Sequence, residues 1–316
     1  MRFYKPNHDL MLFDVPAETH VVNVASVPQR SPFRYPGGKT WLVPRIRQWL
    51  RILERPTVFV EPFAGGAIVG LTVAFEELAE RVVLVELDSQ VAAAWQTILS
   101  DDNEWLADRI LSFDLTKANV QNEVNKTGGS VRERGFRTIL KNRTFHGGIM
   151  APGSSLIKMG ENGKGLRSRW YAETLARRIC AIAQVRERIT FVEGDGIEIM
   201  RQYQRRRRAA FFIDPPYTAA GKKAGSRLYL HHALDHERLF EVASRVLGAV
   251  LMTYDDAPEV AAMAARHGLQ ADKIVMKNTH HAVMTELLIE KAPQVRNAKR
   301  AEPQLPLAGA PETETE

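Results

Sequence analysis

The segment Asp214-Pro215-Pro216-Tyr217 has the residue types of a site that holds a planar aromatic amine. It directly follows the apolar run Ala209–Ile213, which is typical of a buried strand. Proline fixes its own φ and restricts the residue before it, so the two prolines build a rigid ledge where the strand ends. The Asp214 carboxylate and the Pro215 carbonyl are then adjacent acceptors beside the ring of Tyr217. Such a pair matches an NH2 group on a flat heterocycle, and accepting both N–H bonds makes the nitrogen more nucleophilic.

A second group of residues suits a ligand that contains a nucleoside. The turn Glu61-Pro62-Phe63-Ala64-Gly65-Gly66 follows a β-branched run and precedes an apolar helical stretch. Glycines in such a turn let backbone N–H groups approach a ligand closely. Glu86 ends the next predicted strand, where an acidic side chain can accept hydrogen bonds from a ribose diol. The G-x-G-x-x-G spacing is missing, so the ligand need not carry a pyrophosphate. A tight structural turn and a solvated glutamate are the alternative.

A glycine-lysine segment and two histidine pairs could serve other chemistry. Gly38-Lys39-Thr40 is similar to the end of a phosphate-binding P-loop, but Phe33 stands where that motif needs a glycine. His231-His232 and His280-His281 lack a metal-site spacing with carboxylates. The sequence therefore predicts a metal-free site and argues against a P-loop nucleotide hydrolase.

The elements that must position these residues alternate between strands and helices. Strands are predicted at residues 57–61, 81–86, 189–193, 209–213, 249–253 and 286–290, with helices after the first two. Strands separated by helices indicate a mostly parallel, doubly wound α/β sheet. Ligands bind such sheets at the carboxyl ends of the strands, where Glu61, Glu86 and Asp214 are all predicted to lie.

One stretch, from about residue 101 to 188, interrupts this rhythm because it is polar, basic and rich in glycine. Segments of this length without the surrounding pattern are usually functional or form a domain of their own. We predict an inserted, mainly helical subdomain at 101–188 between two parts of a catalytic domain, 29–100 and 189–291. Residues 1–28 are expected to form an irregular arm. The tail 292–316, rich in Pro, Ala and Glu, is expected to be disordered.

Composition sets the remaining limits. The chain of 316 residues is 45% hydrophobic and 25% charged, which suits one large α/β domain with an insertion. Cys180 is the single cysteine, so no internal disulfide can form, and a reducing cytoplasm is expected. No apolar run approaches the ~20 residues that a bilayer span needs, and the N-terminal residues lack the layout of a signal peptide. A net charge of +6 permits a polyanionic partner without requiring one.

Taken together, the order of these motifs resembles that of the Dam-like (D12 class) DNA adenine-N6 methyltransferases. The resemblance covers roughly residues 31–290. It rests on Tyr35-Pro36-Gly37-Gly38-Lys39, the 61–66 turn, Glu86, the 214–217 tetrapeptide, Asn142-Arg143-Thr144-Phe145 and Glu286-Leu287-Leu288-Ile289. It implies a Rossmann-like methyltransferase sheet of seven strands, S-adenosyl-L-methionine as the cofactor and double-stranded DNA as the partner. The target adenine would be rotated out of the duplex, as enzymes that act on bases require.

The resemblance also implies roles for individual residues. Tyr35 would pack near the cofactor adenosine, and Lys39 would lie beside the bound cofactor. Glu86 takes the place of the acid that holds the cofactor ribose. Asp195 takes the place of the acid that binds the adenine amine of the cofactor. The remaining cofactor positions are Gly38, Glu61, Pro62, Phe63, Gly65, Gly66 and Asp214. The catalytic tetrapeptide is Asp214, Pro215, Pro216 and Tyr217, with the flipped adenine stacked on Tyr217.

The sequence departs from the family after the Asn-Arg element, where His146-Gly147-Gly148 replaces the usual Asn-Gly, and the following loop differs as well. These departures leave the recognised DNA site open. A methyltransferase of similar build acting on RNA or on a protein amide is the alternative activity. A DNA-binding relative without catalysis is a third reading. The sequence does not determine the oligomeric state, for which a monomer is the default expectation.

Overall fold

Seven strands form one sheet in the computed structural model, which describes residues 27–35, 38–148, 154–160, 163–216, 234–277 and 283–293. The strands are β1 Val58–Glu61, β2 Arg81–Glu86, β3 Ile189–Glu193, β4 Ala209–Ile213, β5 Ala249–Asp255, β6 Gln270–Lys277 and β7 Val283–Lys291. Their order is β3-β2-β1-β4-β5-β7-β6. Strands β1 to β5 pair in parallel, and β7 is antiparallel to both of its neighbours. The predicted mostly parallel, seven-stranded α/β sheet is therefore confirmed.

Helices cover both faces of this sheet. Within the described ranges they are α1 Val43–Ile52, α2 Ile68–Phe75, α3 Ser89–Leu99, α4 Asn103–Ser112, α5 Lys117–Val124, α6 Val131–Thr144, α7 Ala172–Gln184, α8 Gly196–Tyr203, α9 His236–Arg245 and α10 Pro258–Arg266. Short 3₁₀ turns occur at Lys39–Leu42, His146–Gly148, Gly165–Ser168 and Arg186–Arg188. Among the described helices, none has the length and apolar character of a membrane span.

The apolar residues of the central strands divide between two cores because successive side chains point to opposite faces of a sheet. Phe59, Leu84 and Phe212 belong to one core, which α1 to α7 cover. Val60 and Phe211 belong to the other, which α8, α9 and α10 cover. All residues of β4 are buried, as expected for a strand with helices on both faces. The result is a three-layer α/β/α arrangement.

The described part of segment 101–188 contains α4 to α7, and these helices share the first core with the sheet. Ile110, Phe136 and Ile179 lie in the same apolar cluster as Trp95 of α3. Gly135 lets α6 approach α3 closely, since a Cβ there would lie 2.9 Å from the Ala93 carbonyl oxygen. The helices therefore pack directly on the sheet's own layer, and the division of the chain into a catalytic domain and a separate subdomain stays a prediction.

Candidate functional site

The sheet has a topological switch point between β1 and β4. The chain runs from β1 through β2 to β3 on one side and then returns to β4 and β5 on the other. Open α/β sheets bind ligands in the crevice outside the carboxyl ends of the strands at such a point. Glu61 ends β1, Glu86 ends β2 and Asp214 directly follows β4, so the topology brings these three predicted residues to one edge.

The turn after β1 is held in a strained, closely packed form. Gly65 has φ +46° and Ala67 has φ +50°, both in the left-handed region. The Gly65 carbonyl accepts a hydrogen bond from Trp95 Nε1 at 2.9 Å. The ring of Tyr35 lies against the turn, because a Cβ on Gly65 would lie 3.2 Å from Tyr35 Cε1 and one on Gly66 would lie 3.4 Å from Tyr35 Cδ2. The fold thus brings Tyr35 onto the glycine turn, and the missing Cβ atoms let its ring pack directly against the backbone of the turn.

Glu86 is fixed beside this turn by backbone donors. Its Oε2 accepts the Gly65 N–H at 3.0 Å, and its Oε1 accepts the Asp88 N–H at 2.9 Å. Burial raises the pKa of Glu86 to about 7, although the two N–H donors act in the opposite direction. A carboxylate has about four acceptor sites, so the side chain can still accept a hydrogen bond from a ribose hydroxyl.

Asp195 follows β3, the strand that pairs with β2, and so lies near Glu86. The Gly194 N–H donates to the Glu86 carbonyl at 3.0 Å, and Asp195 Oδ1 caps α8 by accepting the Ile197 N–H at 2.7 Å. The next residue must be glycine, since a Cβ on Gly196 would lie 2.1 Å from the Pro62 carbonyl oxygen. Asp195 is therefore held against the 61–66 turn, and N-capping explains the aspartate independently of any ligand.

A buried lysine joins the carboxyl end of β4 to the amino-terminal half of β7. Lys39 Nζ lies 3.0 Å from Asp214 Oδ1 and 3.7 Å from Glu286 Oε2, and the Lys39 side chain is only 3% exposed. Thr253 of β5 also donates to Asp214 Oδ1, at 2.8 Å. Two contacts thus fix the orientation of the Asp214 carboxylate, with Glu286 behind the lysine.

Charges in this cluster influence one another strongly. Burial lowers the pKa of Lys39, but the charges and hydrogen bonds of Asp214 and Glu286 outweigh it, so this pKa is raised above its ordinary value. Burial raises the pKa of Glu286 to about 7 against the opposing effect of Lys39. Burial also raises the pKa of Tyr254, and the Asp214 charge adds to that increase. The cluster therefore holds excess negative charge around one cation.

Glu61 supports the site from inside the protein. Its side chain is buried, and its Oε2 accepts the Gly70 N–H at 2.7 Å. Burial raises the pKa of Glu61 well above its ordinary value, and Gly70 opposes that shift. Its described contact joins the end of β1 to the first turn of α2. Pro62 is buried and Phe63 is half-buried against the second core, so they shape the turn that carries Gly65 and Gly66.

The Asn142-Arg143 pair has a clear geometric role that the sequence did not reveal. The Asn142 side chain accepts the Arg34 N–H at 2.8 Å and donates to the Arg34 carbonyl at 2.9 Å. Arg143 Nε donates to the Pro32 carbonyl at 2.9 Å. Two residues of α6 therefore hold the segment 32–34, which directly precedes Tyr35. In the sequence, the asparagine-arginine motif was the feature that could have indicated this contact. For the cluster of Lys39, Asp214 and Glu286, called the lysine cluster below, that feature was the segment that begins with Glu286.

Part of the predicted site lies outside the described residues. Pro36, Gly37 and Tyr217 fall in that part, and so do all four histidines of the two histidine pairs. Pro215 is buried and Pro216 half-buried after β4, while Gly38 is exposed and donates its N–H to the Tyr35 carbonyl at 3.3 Å. Among the residues that the structure does describe, no group of three or more potential metal ligands is found.

Comparison with known protein families bears on this arrangement. Residues 35–129 match the D12 class N6 adenine-specific DNA methyltransferase family. The predicted resemblance to the D12 class is thereby confirmed over that range, which includes Tyr35, Lys39, the 61–66 turn and Glu86. The match supports methyltransferase activity and the use of S-adenosyl-L-methionine. Asp214 and Glu286 lie beyond the D12 match, so their assignment depends on the geometry of the cluster.

Other comparisons give more distant similarities. Among solved structures, the chain is similar to the proposed RNA methyltransferase PH1948 from Pyrococcus horikoshii, with 12% identity, a TM-score of 0.38, and coverage of 90% of this chain and 95% of that one. It is also similar to precorrin-6y C5,15-methyltransferase from Geobacter metallireducens GS-15, with 11% identity, a TM-score of 0.32, and coverage of 77% and 82%. Comparison with curated proteins gives no match.

Proposed function

We propose that this protein transfers a methyl group from S-adenosyl-L-methionine to the N6 amine of adenine in double-stranded DNA. The observation that carries the proposal is the placement of Asp214 at the switch point, fixed by Lys39 and Thr253 and next to the glycine turn of the D12 match. A rigid carboxylate beside a nucleoside-binding turn suits an amine acceptor that must be aligned with a donor.

The residues around the turn would hold the cofactor. Tyr35, packed on Gly65 and Gly66, would supply an aromatic surface, and Glu86 would supply acceptors for a ribose. Asp195 lies beside Glu86 and would accept a hydrogen bond from the adenine amine of the cofactor. When bound, S-adenosyl-L-methionine supplies a methyl group activated by the sulfonium, a transfer that needs no metal.

Asp214 and the Pro215 carbonyl would then hold the two N–H groups of the target amine. Positive charge develops on that nitrogen as the new N–C bond forms, and a carboxylate whose orientation is already fixed stabilises it without reorganising. The base would reach this site only after rotation out of the duplex. We propose Tyr217 as the stacking surface for the flipped base. Catalysis would consist of positioning plus electrostatics, with no covalent enzyme intermediate.

The direct test measures transfer of a tritiated methyl group into duplex DNA, RNA and bulk protein side by side. We expect label in DNA, and sequencing of plasmid DNA from an expressing host should locate N6-methyladenine at a defined sequence. Label in RNA or protein alone would overturn the proposed substrate while keeping the enzyme class. Absence of cofactor binding by calorimetry would favour a DNA-binding relative without catalysis.

Replacing Glu86 with alanine should weaken cofactor binding by roughly 1.5–3 kcal/mol, the cost of losing hydrogen bonds to a charged acceptor. DNA affinity without cofactor should stay nearly unchanged. The carboxylate form is the better acceptor for hydroxyl groups, and its pKa in the free protein is about 7. Cofactor affinity should therefore rise as the pH increases through 7.

Isothermal titration calorimetry at several pH values measures both effects. Glu86→Gln is the matched control, because it keeps the shape of the side chain and cannot titrate. Its affinity for the cofactor should change less through neutral pH than that of the wild type. The ribose assignment is wrong if Glu86→Ala leaves the cofactor Kd unchanged.

We also propose that the DNA sequence is recognised within residues 101–188, as base contacts specify a site while phosphate contacts position the protein. The whole segment is unsuitable for exchange, because α4, α6 and α7 contribute to the first core. Exchange of residues 149–164 alone keeps those helices and the Asn142 contacts. We expect the methylated sequence to change with the chemistry retained. An unchanged sequence in methylated plasmid DNA would place recognition outside residues 149–164.

A further inference from the structure

A cavity of about 440 Å³ lies outside the candidate site, between α6, the end of α5 and the first turn of α3. We name it the α6 groove. Its cationic wall consists of Lys126, Arg134, Arg137 and Lys141, and its polar wall includes Gln90 and Thr138. The cofactor and target-base residues described above do not line this groove, so its charge needs a separate explanation.

The charge of the α6 groove is one-sided. Among the described residues that line it, four are cationic and none is Asp or Glu, although the whole chain has 43 basic and 37 acidic residues. Acids outside the lining offset part of this charge. Glu123 pairs with Lys126 at 2.8 Å, Glu133 lies one helical turn from Arg137, and Asp88 acts on Lys141. Arg134 and Arg137 still give the groove a net positive potential.

The cations form a stripe along one face of α6. Arg134, Arg137 and Lys141 are separated by three and four residues, so they lie one above another on the helix and span about 10 Å along its axis. Arg137 Nη1 donates to the Lys126 carbonyl at 2.8 Å, which holds the end of α5 as the facing wall. Thr138 Oγ1 donates to the Gln90 carbonyl at 2.9 Å, which ties the stripe to α3. The groove is therefore built from fixed elements.

The stripe also leads to the candidate site. Gln90 lies two residues after Asp88, whose N–H is bonded to Glu86. Lys141 precedes Asn142, which holds the segment carrying Tyr35. One end of the α6 groove thus lies next to elements that position both the ribose acid and the aromatic residue of the site.

We propose that the α6 groove binds the sugar-phosphate backbone of the nucleic acid substrate and so positions the target base at Asp214. This inference rests on the proposed function. Arg137 and Thr138 donate to backbone carbonyls and so hold the walls of the groove, while Arg134 and Lys141 carry the donors that would contact phosphate oxygens. Such contacts fix orientation without reading sequence. An extended polyanion also suits a stripe of regularly spaced cations better than an isolated anion does.

The experiment measures DNA binding of Arg134→Gln, Lys141→Gln and the double variant by fluorescence anisotropy across a range of salt concentrations. Each phosphate contact contributes about 0.9 to the slope of log affinity against log salt. We expect each single variant to reduce the slope by about 1 and the double variant by about 2. Affinity should fall similarly for DNA of any sequence.

The control is the double variant Arg245→Gln/Arg266→Gln, which removes the same charge. Both arginines are exposed, and they lie in the last turns of α9 and α10. These helices lead into the starts of β5 and β6, at the edge of the sheet opposite the candidate site. Equal salt slopes for the groove and control variants would overturn the proposal. Methyl transfer to DNA by the wild type tests the proposed function separately. A wild type that methylates DNA while its groove variants bind like the control would therefore refute the groove alone.

Discussion

Substitution of Asp214 by alanine is expected to reduce kcat by about 100-fold or more, the usual effect of removing one preorganised electrostatic contact in an active site. The cofactor Kd should change only modestly, because Tyr35, the glycine turn and Glu86 remain in place. Lys39 at 3.0 Å and Thr253 at 2.8 Å position the Asp214 carboxylate. The alanine variant therefore loses a charge whose orientation is fixed. Single-turnover methyl transfer and calorimetric titration of the cofactor measure the two quantities.

Two variants separate loss of the carboxylate from disturbance of the fold. In Asp214→Ala the lysine keeps Glu286 as a charged neighbour, so the protein should remain folded. Thr253→Val removes one of the contacts that orient Asp214 and leaves the charge, so its kcat should fall much less than that of Asp214→Ala. Retention of most activity by Asp214→Ala would refute the proposed acceptor role.

The strands show how much of the fold the sequence alone can predict. The sequence predicts the strands at 81–86 and 209–213 with the bounds that the structure has, because continuous apolar runs mark strands buried on both faces. It also predicts the edge strand at 189–193 with the observed bounds, although that strand is only partly buried. The strand Gln270–Lys277 was not located from the residues. It lies at the edge of the sheet, contains Gln270, Asp272 and Lys273, and leaves Val275 63% exposed. An edge strand with charged residues lacks the apolar signal of a central one.

The candidate site divides in a similar way. Parallel topology places strand ends at one edge, so sequence reasoning could bring Glu61, Glu86 and Asp214 together. It could not find that Glu286 approaches Lys39, because β7 is antiparallel and its pairing depends on long-range register. It also could not tell that the Glu61 carboxylate faces Gly70 inside the protein. Contacts between distant segments require the packed structure.

The second large effect is expected when Lys39 is replaced, and it concerns the free energy of unfolding. Lys39→Met keeps the buried aliphatic stem and removes the charge that lies between Asp214 and Glu286. Removing one partner of a buried ion pair usually costs about 3–5 kcal/mol, because it leaves an uncompensated buried charge. We expect a decrease of that size in the free energy of unfolding near pH 8, measured by urea denaturation, together with loss of methyl transfer.

The pH dependence distinguishes lost charge pairing from lost packing. The pKa of Glu286 is about 7 in the folded protein, above its ordinary value of 4.5. A carboxyl group with a raised pKa stabilises the fold below its unfolded pKa, and that contribution disappears as the pH rises through the folded value. Without Lys39 this pKa should rise further, so the variant should lose more stability at pH 8 than at pH 5.5. Glu286→Gln in the Lys39→Met background removes one unpaired charge and should recover part of the loss at pH 8. An equal loss at both pH values, with no recovery in the double variant, would mean that the lysine acts through its stem alone.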